Sequence, residues 1–188
     1  GDFVIDEVKP TPRVRLVRPL VEGVAQPYLH VKVNEQAAED LHYPLEPEDW
    51  WGLLNHTHQV GCRVAAIEEP LTWEGEGVAH LGRLATLNTA LSQFETVILT
   101  IDLHRPPKGQ PIPDYLQASA IPLSNVTGET GPLVRVNRVL LPPSATPAPN
   151  IRFAFRLQES IDDARPQILR WDDYLIPSFP LAVAMAQA

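Results

Sequence analysis

The chain has 188 residues, of which 44% are hydrophobic and 20% charged, so its length and composition fit one globular domain and exclude a disordered or fibrous protein. No window approaches the roughly 18 unbroken apolar residues of a membrane span, and the single cysteine excludes a disulfide scaffold and favours a reducing, cytoplasmic compartment. The formal charge of −8 comes from residues 1 to 80, which hold 6 basic and 14 acidic residues, and it disfavours non-specific binding of nucleic acid.

The first half of the chain predicts short strands and short helical turns. Alternating and β-branched residues predict strands over residues 14–20, 28–33, 60–67 and 71–78. Asn34 is a candidate N-cap for a helical turn over residues 35–41. Pro47, followed by two acidic residues, predicts the start of a second short helix. The one longer helix is predicted near residues 80–93, where leucines recur at spacings of three and four.

The last two thirds of the chain are predicted to be mainly β. Residues 106–149 contain 10 of the 20 prolines, which exclude long helices there. Strands are predicted over residues 95–103, 115–123, 133–141, 151–158 and 167–175. The third and fourth of these are expected to form a long hairpin with a proline-rich loop. Without alternating βαβ units, we expect an α+β domain spanning residues 1–188, dominated by antiparallel strands in a barrel or sandwich, with one longer helix across it.

Three residues form a candidate metal site. If the segment that contains them is extended, His56, His58 and Cys62 project from one face and could bind zinc or copper. A metal-dependent enzyme is therefore one alternative function, although the preferred interpretation includes no cofactor.

Signatures of catalysis are otherwise missing from the sequence. It contains no G-x-S-x-G elbow, no G-x-G-x-x-G fingerprint and no phosphate-binding P-loop. Asp102 and His104 would share one face of a strand as a possible base with its orienting carboxylate, but an exposed polar edge is the favoured explanation. The sequence thus favours a protein that is not an enzyme.

Arginines on the predicted hairpin form a candidate binding surface. Arg135, Arg152 and Arg156 alternate with apolar residues and would make a basic stripe across the two strands. Such a stripe suits an acidic protein surface, including the acidic first part of a second copy of this chain. It would also suit single-stranded nucleic acid, which is the other alternative function.

Two apolar features complete the candidate partner-binding residues. Trp50 and Trp51 are adjacent on a short helix and cannot both point inward, so one is available to a partner. The chain ends without charge, and we expect residues 177–188 either to dock on the domain or to form an arm, which would present Leu181, Val183 and Met185 to a neighbour. The preferred interpretation is a non-catalytic binding or assembly module, a homo-oligomer or part of a larger protein complex.

Overall fold

The structure is a computed structural model that describes residues 3–4, 15–16, 45–157 and 166–186. The chain divides into two compact units, residues 1–62 and residues 63–188. The predicted strand at 28–33 and the predicted turn at 35–41 lie outside the described residues, as does most of the predicted strand at 14–20.

The described residues of the first unit form two short strands and one helix. Strands β1 (Phe3–Val4) and β2 (Arg15–Leu16) pair antiparallel. Helix α1 (Pro47–Gln59) begins with proline at its first position, where the missing N–H costs no hydrogen bond. The Glu46 backbone N–H donates to the Asp49 carboxylate at 3.0 Å, which fixes the first turn. The predicted short helix is confirmed, and it is longer than expected because it continues to residue 59.

The second unit alternates strands with helices that are between 4 and 15 residues long. In chain order its elements are β3 (Val64–Ile67), α2 (Gly77–Leu91), β4 (Thr96–Ile101), β5 (Leu103–His104), α3 (Asp114–Gln117), β6 (Ile121–Pro122), β7 (Arg138–Val139), β8 (Ile151–Phe155), β9 (Ile168–Trp171), β10 (Tyr174–Pro177) and α4 (Phe179–Met185). The predicted longer helix near residues 80–93 is confirmed as α2, displaced slightly towards the N-terminus.

The core of the second unit is a parallel sheet. Its strands lie in the order β3-β4-β8, and both pairings are parallel. The central strand β4 is buried from Val97 to Ile101, which is typical of a parallel strand covered on both faces. Even its Thr100 side chain is buried, and the hydroxyl donates to the Glu68 carbonyl at 2.7 Å.

The prediction of a mainly antiparallel barrel or sandwich is wrong. The described residues form an α+β fold with four helices and small sheets of mixed direction, and they close no barrel. The physical reason is the connection between β3 and β4, which contains α2 and supplies the crossover that parallel strands require. The predicted strand over residues 71–78 is also wrong, because this segment is irregular until α2 begins at Gly77.

The described antiparallel strands of the second unit form two small sheets. Strand β10 lies between β6 and β9, and β5 pairs with β7. The predicted hairpin over residues 133–158 is therefore wrong: β7 pairs with β5, and β8 pairs with β4. The predicted strand over residues 115–123 is replaced by α3 and the two-residue strand β6.

The C-terminal segment is a short helix on the parallel sheet. The Ser178 hydroxyl accepts from the Leu181 backbone N–H at 3.4 Å and caps α4. Helix α4 packs against β4 and β8, so the described part of the predicted arm, to residue 186, is attached to its own unit. No described helix is long and apolar enough to cross a membrane.

Candidate anion-binding site

A pocket of about 490 Å³ in the second unit brings together charged side chains from distant parts of the chain. Its described lining residues are Arg105, Arg135, Val136, Asn137, Arg170, Asp172 and Asp173. Three of these are arginines and two are aspartates, so the described lining residues carry a formal excess of one positive charge.

Two of the arginines are held side by side by the backbone. Arg135 and Arg170 form a parallel bridge, in which the Arg170 N–H donates to the Val134 carbonyl and the Val136 N–H donates to the Arg170 carbonyl, both at 2.9 Å. Residues paired in this way project their side chains from the same face. Val136 is buried on the opposite face, and its burial fixes which way its two neighbours point. The fold thus places the backbones of Arg135 and Arg170 side by side, and both residues line the pocket.

The turn between β9 and β10 supplies the two carboxylates. Asp172 has a φ of 50°, a left-handed conformation that aspartate tolerates better than most residues. The Nε–H of Arg170 donates to the Asp172 carbonyl at 2.9 Å, which ties this arginine to the turn. The Asp173 carbonyl accepts from the Leu123 N–H at 2.9 Å, so the turn is held from both sides.

Asn137 joins the pocket to the loop that follows β5. Its backbone N–H donates to the His104 carbonyl at 3.0 Å, and its side-chain Nδ2 donates to the Pro106 carbonyl at 3.3 Å. Gly109 lies so close that a Cβ atom there would stand 2.6 Å from Nδ2 of Asn137, which only glycine permits. These contacts position Arg105, while the buried Oδ1 of Asn137 has no hydrogen-bond partner.

The pocket arginines have no carboxylate partners. Among the described residues, no ion pair joins Arg105, Arg135 or Arg170 to an acidic side chain. Like charges placed directly opposite each other on neighbouring strands destabilise the pair. An anion between the two adjacent guanidiniums would remove this cost, and the planar fork of arginine matches the oxygens of a phosphate or a carboxylate.

The other two arginines of the predicted stripe lie elsewhere. Nη1 of Arg152 donates to the carbonyl of Pro149 at 2.6 Å and to that of Ile151 at 3.1 Å. Arg156 binds Asp102 through two hydrogen bonds, of 3.2 and 3.0 Å. Neither lines the pocket, because the hairpin that would have aligned them with Arg135 does not form. Both carboxylate oxygens of Asp102 accept hydrogen bonds from Arg156, and in the part of the chain that the structure describes no hydrogen bond joins Asp102 to His104.

The structure does not assemble the predicted metal site. His56 and His58 lie on α1, where residues two apart point to nearly opposite sides of the helix, so the extended conformation assumed for them is wrong. Burial also raises the pKa of the Cys62 thiol, which disfavours the thiolate that binds metal. The described residues contain no group of three or more histidine, cysteine or acidic side chains able to hold a metal ion.

The remaining candidate residues lie on two separate helices. On α1, Trp51 is 43% exposed, whereas Trp50 is half-buried. On α4, Leu181 and Val183 are half-buried, and Met185 is 49% exposed. None of these five residues belongs to the described lining of the pocket.

Sequence reasoning found one pocket arginine and missed two. Arg135 is exposed, as expected, but it lies at an isolated bridge rather than in a strand. Arg170 lies on the predicted strand at 167–175, but no sequence pattern shows that this strand meets the segment around Arg135. Arg105 carries no signal of its own, since it directly follows a two-residue strand.

Comparisons of the chain with protein-family models, curated proteins and solved structures found no match.

Proposed function

We propose that this chain is a non-catalytic binding module whose arginine-lined pocket binds an anionic group. The observation that carries the proposal is the adjacent pair Arg135 and Arg170, fixed by a backbone bridge and without acidic partners among the described residues. Holding two unpaired cations together is unfavourable unless a ligand neutralises them. The pocket volume of about 490 Å³ lies in the range of small-molecule sites.

The chemistry of the lining favours binding over catalysis. The described lining residues include no serine, cysteine, histidine or lysine, so they do not offer the nucleophile and base pairs that are built on those side chains. Arginine remains protonated at all physiological pH values and serves to hold an anion. The arrangement can orient an oxyanion between fixed hydrogen-bond donors of the arginines.

Calorimetric titration with inorganic phosphate at low ionic strength tests this proposal. We expect the intact chain to bind phosphate and Arg135→Ala or Arg170→Ala to weaken binding by about tenfold or more, as expected for the loss of a charge-assisted hydrogen bond. Arg152→Ala is the matched control, since this arginine is exposed and lies outside the described pocket lining, and it should bind as the intact chain does. Absence of phosphate binding by the folded intact chain would contradict the proposal.

A second candidate occupant is an acidic protein surface, including that of another copy. The acidic residues concentrated in residues 1 to 80, within a chain of charge −8, are complementary to an arginine pair of this kind. If the pocket mediates self-association, the native molar mass of the intact chain, measured by light scattering, should exceed the mass of one chain. The native molar mass of Arg135→Ala should be lower than that of the intact chain. If both proteins have the mass of one chain, self-association through the pocket is excluded, and a small anion remains as the proposed occupant.

A further inference from the structure

We infer that the chain docks an acidic segment of a partner protein, whose carboxylates bind the arginines in and beside the pocket while its apolar side chains cover Leu140 and Leu141. This inference rests on the proposed function, because one carboxylate of the segment would be the anionic group in the pocket. It adds the class of partner and extends the binding surface beyond the pocket.

A cluster of five cations without acidic partners, here called the basic surface, surrounds and includes the pocket arginines. Its members are Arg105, Lys108, Arg135, Arg138 and Arg170. Among the described residues, none of the five forms an ion pair, and all but the half-buried Arg170 are exposed. Asp172 and Asp173 add two negative charges, so five cations and two carboxylates leave a formal excess of three positive charges in a chain of charge −8.

Backbone contacts hold the segments that carry these cations together. Strands β5 and β7 pair antiparallel and place Arg138 opposite His104. The Gln110 N–H donates to the Asn137 carbonyl at 2.9 Å, which ties the loop containing Lys108 to the segment that follows Arg135. The positions of the cations are therefore set by the fold before a partner arrives, which lowers the entropic cost of binding.

Exposed aliphatic side chains continue the basic surface at the end of β7. Leu140 and Leu141 are 52% and 48% exposed. Val139 is buried between the exposed Arg138 and Leu140, so both of its neighbours are turned outwards. The Leu140 N–H donates to the Asp102 carbonyl at 2.9 Å, which fixes this end of the segment. Apolar side chains bordered by unpaired charges are typical of a protein-binding surface.

The spacing of these features matches a short extended segment. A chain extends by at most about 3.5 Å per residue, so Arg135 and Leu141 lie within roughly 20 Å of each other. About six extended residues of a partner span that distance and can bring both a carboxylate and an apolar side chain. The planar fork of arginine matches a carboxylate, and the leucines offer a surface that apolar side chains can remove from water.

Two other classes of partner fit the surface less well. Single-stranded nucleic acid stacks its bases on aromatic platforms, whereas the exposed leucines here are aliphatic. An anionic membrane presents negative charge everywhere, including opposite Asp172 and Asp173, where it would be repelled. A peptide segment avoids this repulsion because it can place a neutral residue there.

The test compares two fluorescein-labelled peptides of equal charge by fluorescence anisotropy on the intact chain. One peptide consists of four Glu-Leu-Asp repeats, and in the other each leucine is replaced by serine. We expect the leucine peptide to bind about tenfold more tightly, because only its side chains can cover the two exposed leucines. Equal affinities for the two peptides would overturn the inference.

A pair of variants locates the apolar contact. We expect Leu140→Ser to lose most of the preference for the leucine peptide. Val78→Ser is the matched control, since Val78 is 88% exposed and lies on α2, and it should keep the preference of the intact chain. An unchanged preference in Leu140→Ser would overturn the placement of the apolar side chains.

A third variant separates the basic surface from the pocket. Arg138 lies outside the described pocket lining, so we expect Arg138→Ala to weaken binding of both peptides severalfold while binding inorganic phosphate as the intact chain does. Peptide affinities equal to those of the intact chain would overturn the extension of the surface beyond the pocket.

The possible failures remain distinguishable. If inorganic phosphate binds the folded chain and neither peptide does, this inference fails and the anion site remains. If phosphate and both peptides fail to bind, the proposed function fails as well. Sedimentation with phosphatidylcholine–phosphatidylserine vesicles, without binding of the leucine peptide, would assign the surface to a membrane and overturn the inference.

Discussion

At the carboxyl ends of β4 and β8, Arg156 and Asp102 form a two-point ion pair in which the Asp102 side chain is only 16% exposed. Its Nε–Oδ1 and Nη2–Oδ2 contacts measure 3.2 and 3.0 Å. The Arg63–Glu95 pair, by contrast, has both side chains more than half exposed, at 69% and 65%. Both pairs join a guanidinium to a carboxylate, but they differ in burial and in the number of contacts, with two in the Arg156–Asp102 pair and one in the Arg63–Glu95 pair.

We expect Arg156→Ala to lower the free energy of unfolding by about 1.5–3 kcal/mol, because it leaves a largely buried carboxylate without its donors. Arg63→Ala should cost about 1 kcal/mol or less, since an exposed pair is weakened by solvent and salt. Urea unfolding of both variants measures the difference. Equal losses would show that burial of Asp102 does not govern the pair.

Ionisation of Tyr115 should make the free energy of unfolding depend on pH in the alkaline range. Its ring packs edge-on against Phe153 with centroids 5.0 Å apart, and burial raises the pKa of its phenol above 10.0. The folded chain therefore holds the phenolic proton more tightly than the unfolded chain, and this contribution is complete below pH 10.0. This contribution to stability is lost as the pH rises from 10.0 through the pKa that the Tyr115 phenol has in the folded chain.

Comparison with Tyr115→Phe isolates this contribution from other titrating groups. We expect the intact chain to lose more unfolding free energy than the variant between pH 9 and pH 11, on the order of 1 kcal/mol for each unit of pKa shift. Urea unfolding at several pH values provides the measurement. Parallel pH profiles for the two proteins would show that the phenol does not titrate differently in the folded state.

At the scale of elements, local sequence signals predicted the helices but did not predict which strands pair with each other. The start of α1 at Pro47 and the leucine spacing of α2 follow from local chemistry, and both helices were predicted. Strand β4 was also found, but its polar Thr100 suggested a half-buried strand. The buried hydroxyl is satisfied by the Glu68 carbonyl, a contact that exists only after β3 and β4 have paired in parallel.

The candidate site shows the same limit. The outward direction of Arg135 follows from alternation with its apolar neighbours. The neighbour of Arg135 is Arg170, which is distant in sequence and is brought close by a single backbone bridge. Because register between distant segments is set by tertiary packing, the sequence predicted an arginine surface but grouped Arg135 with Arg152 and Arg156 instead.

The C-terminal end of α2 depends on a side chain from just before β8. Nδ2 of Asn150 donates to the carbonyls of Leu91 and Phe94, at 3.1 and 3.0 Å. Helix ends leave such carbonyls without intrahelical partners, so this residue both satisfies them and joins α2 to the central sheet. The connection explains why an irregular, proline-rich loop ends at a defined position.

We expect Asn150→Ala to reduce the unfolding free energy by about 1–2 kcal/mol through the loss of its two hydrogen bonds to these carbonyls. Asn125→Ala is the matched control because that side chain is exposed and accepts a single 3.3 Å hydrogen bond from the neighbouring Ser124, and it should cost about 0.5 kcal/mol or less. Hydrogen exchange of the α2 amides gives a local readout. Unchanged protection of its last turn would contradict a capping role for Asn150.

For the whole molecule, net charge and the arrangement of arginines argue against nucleic-acid binding. The chain carries a formal charge of −8, which produces a repulsive field for a phosphate backbone. A backbone-binding surface would need cations in a continuous track, with aromatic platforms beside them. The three arginines of the predicted stripe are instead divided among the pocket, two backbone carbonyls and the Asp102 pair.

We therefore expect (dT)20 to bind no more tightly than about 10⁻⁴ M at 0.15 M salt, the weak end of non-specific affinity. Fluorescence anisotropy of labelled (dT)20 provides the measurement, and inorganic phosphate added in excess serves as the control for the pocket. Tight binding that weakens steeply with salt would contradict this expectation and restore the nucleic-acid alternative. Tight binding abolished by inorganic phosphate would place the nucleic acid in the pocket, which the carboxylates of Asp172 and Asp173 should prevent.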